Sequence, residues 1–223
     1  MSVVLSIITA TDLLHVSDLP PEGPRTLVLR HPTSTGLLTA VGEAPPLDWL
    51  AGHAADPAHE AGALAQRLAA RADLEQADVD AAHLLTGWGK DRQGRDHTFR
   101  FLISNLDGAG YTVQGESLTP DSVLKRGAPA PYSVQVVATV EQPAAARRRV
   151  EALPRVIKRG DASGLALEAA AIVRLIVPGP VLVAHLTPDG VLEAAVLDGA
   201  QVTPVQCGAE TGTARLAVAS RPA

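Results

Sequence analysis

The chain has 223 residues and a formal net charge of −5, enough length for one core that buries roughly 70% of the surface an unfolded chain exposes. With 46% hydrophobic and 19% charged residues it is a folding sequence, not a disordered one. An acidic balance with 3% aromatics excludes the basic stripes and stacking platforms that grip nucleic acid, and one cysteine, Cys207, excludes an internal disulfide.

Val3 to Thr9 and Leu13 to Val16 are rich in β-branched and aliphatic residues. The short Ala10-Thr11-Asp12 turn between them predicts a hairpin. Arg25 to His31 alternates polar and apolar residues as a half-buried strand does, and Leu37 to Val41 follows a turn-forming segment that begins at Pro32. Asp56 can cap a helix whose first position is Pro57, and Ala61, Leu64, Ala65, Leu68 and Ala72 share one of its faces. A short second helical piece is expected over Gln76 to Ala82. Strands return at His83 to Gly89, His97 to Leu106, Tyr111 to Gly115 and Tyr132 to Val140. A helix from Ala144 to Leu153 should kink or end at Pro154, and another spans Ser163 to Ile176. Val181 to Leu186 and Val191 to Leu197 form a late hairpin, with an edge strand over Ala214 to Ala219. Strands and helices come in runs, so antiparallel sheets covered by helices are expected, not a doubly wound parallel sheet. No repeat or long linker divides the chain, and residues 1–223 read as one domain.

Three segments in this order resemble the proteasome β-subunit and its relatives among the N-terminal nucleophile hydrolases. The opening from Ser2 to Asp18 is similar to the family's nucleophile, strand, turn, strand and aspartate. The run His83-Leu-Leu-Thr-Gly-Trp-Gly-Lys-Asp91, followed by Asn105-Leu-Asp-Gly-Ala-Gly110, is similar to its mid-chain hairpin. Leu37 to Gly42 is similar to its fourth strand with the glycine that follows. The resemblance implies an α+β fold, a four-layer αββα sandwich of two antiparallel sheets flanked by helices. It also implies amide or peptide hydrolysis by Ser2 after removal of Met1, with Asp18 as the supporting acid. An N-terminal hydroxyl residue suits this chemistry because its own amine, with a pKa near ~8, serves as general base.

The family carries a lysine on its third strand. This chain offers Arg25 and Arg30 there, and an arginine holds its proton where a lysine can release one. The family's later aspartate and serine have counterparts in Asp161 and Ser163, which the residue pattern also reads as the N-cap of the following helix. The competing class is therefore a catalytically inactive relative serving assembly or binding. An unrelated α+β domain that binds a small molecule is a third reading.

Other clusters carry simpler readings. His53, Asp56, His59 and Glu60 lie close in sequence, but Pro57 begins a helix among them, so no metal is expected. Asp91, Asp96 and His97 flank a polar turn. Gly108-Ala-Gly110 precedes a strand where a dinucleotide site needs a helix, so no cofactor is expected. Arg147 to Arg149 read as a solvated helix face, and Trp49 and Trp88 as packing residues. The first residues lack the basic leader of a signal peptide, and the apolar stretch around Leu165 to Leu186 is broken by Glu168, Arg174, Pro178 and Pro180. A cytoplasmic homo-oligomer acting on a peptide or small amide, with no nucleic acid or membrane partner, is the expectation.

Overall fold

The structure, a computed structural model, describes residues 1–9, 12–23, 25–42, 57–76, 81–90, 93–106, 111–119, 132–187, 192–206 and 212–218. The opening hairpin forms as β1 (Val3–Thr9) and β2 (Leu13–Asp18), with Val4 opposite Ser17 and Ile8 opposite Leu13. The Thr9 amide donates to the Asp12 carbonyl at 2.8 Å and closes the turn. β3 (Thr26–His31) and β4 (Ser34–Gly42) form the next hairpin. After α1 (Pro57–Gln76) come β5 (Ala81–Lys90), β6 (Asp96–Ser104), β7 (Thr112–Leu118) and β8 (Tyr132–Ala138). Helices α2 (Ala144–Ile157) and α3 (Ala162–Ile176) follow, then β9 (Val181–Leu186), β10 (Leu192–Asp198), β11 (Gln201–Gln206), β12 (Gly212–Arg215) and β13 (Ala217–Val218).

These strands make two antiparallel sheets, one of seven strands in the order β13-β11-β10-β9-β2-β1-β8 and one of six in the order β12-β3-β4-β5-β6-β7. The two opening hairpins therefore separate, one into each sheet. Alternation along the strands divides each between two environments. Val3, Leu5 and Ile7 of β1 pack with Leu153, Ala169, Ile172 and Val173 of α2 and α3. Ile8 instead joins Leu13, Val28, Leu37 and Trp88 in a cluster that draws on both sheets, and Val4 joins Val41, Leu84 and Val137 in another. On the six-stranded sheet, Leu29, Leu38, Leu85 and Phe99 pack with Leu64 and Leu68 of α1.

Two sequence expectations are corrected. Ala81 and Ala82 do not continue a helix; both are buried in β5, opposite Gly42 and Val41 of β4. Alanine is a strong helix former, but here its small side chain suits a crowded strand pair, and tertiary pairing overrides local preference. Pro154 does not end α2 either, because the helix runs through it to Ile157. Proline forfeits one hydrogen bond, yet Ala146 and Leu153 before it are buried, and Val150 and Ile157 pack on the same cluster. That continuous apolar face outweighs the local loss. β11 had no sequence signal, since Pro204 interrupts an alternation that is already weak. Asp56, His53, Trp49 and Asp91 lie outside the described residues, as do the side chains of His59 and Glu60. Trp88 packs between the sheets, and Arg147 to Arg149 face solvent.

Polar side chains also cross between the sheets. His15 of β2 meets Thr39 of β4 through Nε2 and Oγ1 at 2.7 Å, and Thr39 meets the Thr26 hydroxyl at 2.8 Å. The Thr98 hydroxyl of β6 donates to the Thr9 carbonyl of β1 at 2.6 Å. His15 is wholly buried, and burial pushes its pKa down to about 4.

Close packing on the six-stranded sheet gives one prediction. The Phe99 ring lies over Gly87, its partner in register, and a Cβ at Gly87 would also stand 2.6 Å from the Thr35 carbonyl oxygen. Gly87→Ala should lower stability by roughly 1–3 kcal/mol, read as an earlier urea midpoint with the spectrum of the folded state unchanged. A second concerns acid. The folded pKa of His15 lies below its ordinary value of 6.5, so below pH 6.5 the unfolded chain binds the extra proton first. Stability attributable to this group should fall by about 3 kcal/mol as pH drops from 6.5 to 4, and remain flat above that window. Urea titrations across it should show the slope, and His15→Gln should flatten it.

Candidate functional site

Ser2 precedes β1 and is 3% exposed, while Met1 before it is 91% exposed. Each polar atom of Ser2 has a defined partner. Its amide donates to Thr139 Oγ1 at 3.1 Å, and its carbonyl accepts from the Thr139 amide at 3.1 Å, extending the β1–β8 ladder by one residue. Its hydroxyl oxygen accepts the Gly42 N–H in a very short hydrogen bond. Gly42 ends β4 with φ of +78°, a left-handed conformation that favours glycine. Its amide is presented to Ser2 across the gap between the sheets.

Asp18 ends β2, one register step from the Val4–Ser17 pair, so its carboxylate reaches back over the start of β1. It accepts the Val3 amide at 2.6 Å. Burial raises its pKa above the ordinary carboxylate value, while the Val3 amide and the nearby charge of Arg25 pull it back down. Arg25 precedes β3. It donates through Nη1 to the Gly42 carbonyl at 2.7 Å and through Nη2 to Glu22 at 2.5 Å. The same glycine is thus held at both ends, its N–H by Ser2 and its C=O by Arg25. The His15–Thr39 contact lies three residues before Gly42 on β4, and so anchors the strand that carries this amide.

The structure brings together Ser2, Asp18 and Arg25 and separates the other candidates. Arg30 lies at the far end of β3, opposite Thr35, roughly 16 Å along the strand from Arg25. Asp161 caps α3, accepting the Gly164 amide at 2.9 Å. It lines a cavity of about 130 Å³ with Thr9 and Asp12. Ser163 lines the neighbouring groove with His185 and Ala162. Thr9 is the last residue of β1, roughly 23 Å along the strand from Ser2. Sequence reasoning did not find Thr139, which is polar, follows β8 immediately and has no motif around it. Gly42 was visible as the glycine closing β4, but its contact with Ser2 exists only across the two sheets.

This arrangement positions a serine hydroxyl beside a backbone N–H donor, with a carboxylate one residue away and a guanidinium behind both. With Met1 in place the Ser2 nitrogen is an amide and cannot accept a proton. Removal of Met1 would convert it into an amine on the same residue as the hydroxyl.

No protein-family model matches the chain, and no curated protein matches it. Among solved structures the chain is similar to Anbu (ancestral beta-subunit) from Yersinia bercovieri, with 14% identity, coverage of 82% of this chain and 80% of that one, and a TM-score of 0.48.

Proposed function

We propose that the chain is a divergent proteasome-like domain of the N-terminal nucleophile fold, a single four-layer αββα unit that hydrolyses peptide or small amide bonds with Ser2 once Met1 is removed. The observation that carries this reading is the Gly42 N–H on the Ser2 hydroxyl, with the Asp18 carboxylate on the next amide, that of Val3, and Arg25 on the Gly42 carbonyl. In the reaction, Ser2 Oγ attacks the amide carbonyl and its proton passes to the Ser2 amine. The Gly42 N–H, released from the hydroxyl, receives the developing oxyanion. The protonated amine returns its proton to the leaving nitrogen, and water hydrolyses the resulting ester. Asp18 fixes the start of β1 through Val3, Thr139 fixes the Ser2 nitrogen, and Arg25 holds Gly42 and offsets the Asp18 charge.

One observation favours a second reading, a non-enzymatic relative that serves assembly or binding. The family resemblance expects a lysine where this chain offers only Arg25 and Arg30, and Arg25 already donates to Gly42 and Glu22. An arginine supplies charge but no proton acceptor.

Two measurements separate these readings. Protein purified without an N-terminal tag should have an intact mass lighter by one methionine residue; methionine retained on every molecule would exclude the enzymatic reading. The processed protein should then be labelled at Ser2 by a hydroxyl-directed electrophile. Ser2→Ala should abolish labelling, Asp18→Asn and Arg25→Ala should slow it on the order of 10²-fold, and Arg30→Ala should leave it unchanged. Unlabelled wild type with Met1 removed would favour the assembly role.

In either role the chain would act as a cytoplasmic homo-oligomer, for which the exposed Leu167 and Leu175 on α3 supply apolar contact area. Light scattering behind size exclusion should give a mass well above 23.1 kDa, and a monomer at micromolar concentration would contradict it.

A further inference from the structure

The space between the sheets is apolar over most of its area but polar at the edge formed by β7 and β8. There β6 contributes Arg100, β7 contributes Gln114 and Glu116, the register partner of Arg100, and β8 contributes Ser133 and Gln135. Arg100, Gln114, Glu116 and Gln135 line a cavity of about 290 Å³ that opens to solvent past the exposed Gln114.

Arg100 is its floor, with a side chain only 4% exposed. Nη1 donates to the Ser6 carbonyl of β1 at 3.1 Å. Nη2 donates to the Ser133 hydroxyl at 2.6 Å and, in a very short contact, to Glu116. The Ser133 hydroxyl in turn donates to Glu116 at 3.0 Å. Among the described residues the buried Arg100 Nε–H meets no acceptor. A buried donor without a partner is rare in folded proteins and marks a place where another atom belongs. Burial lowers the guanidinium pKa to about 10, so the group keeps its charge at neutral pH. Among the described residues its carboxylate partner is Glu116, whose side chain is 38% exposed and reaches in from the solvent side.

Two further features bear on what could enter. Among the described residues β7 and β8 are each the last strand of their sheet, so an extended chain can hydrogen-bond to main-chain groups on their outer sides. The Gln114 and Gln135 amides each offer a donor and an acceptor, as a peptide group requires. Glu116 shows that a carboxylate fits against this guanidinium, and arginine pairs with carboxylates through parallel N–H donors.

We propose that this cleft binds an extended peptide segment through a carboxylate seated on Arg100. The carboxylate takes the Nε–H and competes with Glu116 for Nη2, while the glutamine amides hold the peptide groups on either side of it. The site is separate from Ser2: Ser133 pairs with Ile8 at the other end of β1, roughly 20 Å along β8 from Thr139.

The test uses the full chain labelled with nitrogen-15 and follows the Arg100 Nε–H resonance during titration. The probes are N-acetyl tetra-alanine with a free C-terminal carboxylate, the same peptide as its C-terminal amide, a doubly capped alanine peptide with one internal glutamate, and sodium acetate. The free acid or the internal glutamate should move the resonance saturably, and whichever binds tighter identifies the carboxylate as terminal or side-chain. The amide should bind about tenfold weaker than the free acid if the terminus is read. Glu116→Gln should tighten binding about threefold by removing the competitor, and Gln135→Ala should weaken it about threefold. No saturable shift with either carboxylate peptide, in wild type and in Glu116→Gln, would overturn the proposal. So would acetate binding as tightly as the peptides, because the chain would then contribute nothing.

Discussion

β1 is buried on both faces, and the rest of the structure depends on that constraint. Every side chain from Val3 to Ile8 is at most 1% exposed, with alternate residues committed to the helix-side cluster and to the space between the sheets. A shift of one residue in register would exchange these two sets. Ser6 would then turn toward α2 and α3, and Leu5 and Ile7 would crowd the space between the sheets. Burying an aliphatic side chain contributes roughly 1.5–3 kcal/mol, whereas a typical hydrogen bond nets about 1 kcal/mol. Packing therefore sets the register, and the register sets the position of Ser2. The contacts at Ser2 adjust a location that the core has already chosen.

Apolar contact alone would let the two sheets slide, because hydrophobic burial has no direction. Directional bonds remove that freedom. His15 to Thr39, Thr98 to the Thr9 carbonyl and Arg100 to the Ser6 carbonyl each tie a residue of one sheet to a residue of the other. They are spread along β1 and β2, and so fix translation and rotation together. The Gly42 amide needs this precision, since it meets a hydroxyl on the opposite sheet.

Much of this was legible in the sequence. The hairpins at Val3 to Asp18 and at Val181 to Asp198 announce themselves through β-branched runs around short turns, and Pro57 marks the start of α1. The nearness of Asp18 to Ser2 was legible because both residues belong to one hairpin, where sequence separation fixes spatial separation. Contacts between hairpins were not legible. Arg25 and Arg30 lie on the same segment, and only the pairing of β3 with β4 places Arg25 beside Gly42 and sends Arg30 to the opposite end. Asp161 and Ser163 look like site residues in a motif but stand at the end of the β1–β2 hairpin away from Ser2, which only the packing of α3 on the sheet decides. Ala81, Ala82 and Pro154 misled for one shared reason: local preference, worth up to about 1 kcal/mol for alanine and about 3 for proline, yields to a buried surface several residues wide.

The groups around Ser2 are all in place while its nitrogen is still an amide. The Thr139 hydroxyl holds that nitrogen, the Gly42 N–H holds the oxygen, and Asp18 holds the next amide along. None of these contacts requires a free N-terminus, so they form with Met1 in place. Met1 is exposed and Ser2 is not, which places the bond between them at the surface. Cleavage of that bond would change one group from a hydrogen-bond donor into a base and leave its neighbours where they stand. The Ser2–Thr139 contact then acquires a second use: a hydroxyl that accepts from an amide N–H can equally donate to an unprotonated amine. Folding and activation would draw on the same atoms in sequence, with the buried register of β1 as the common foundation.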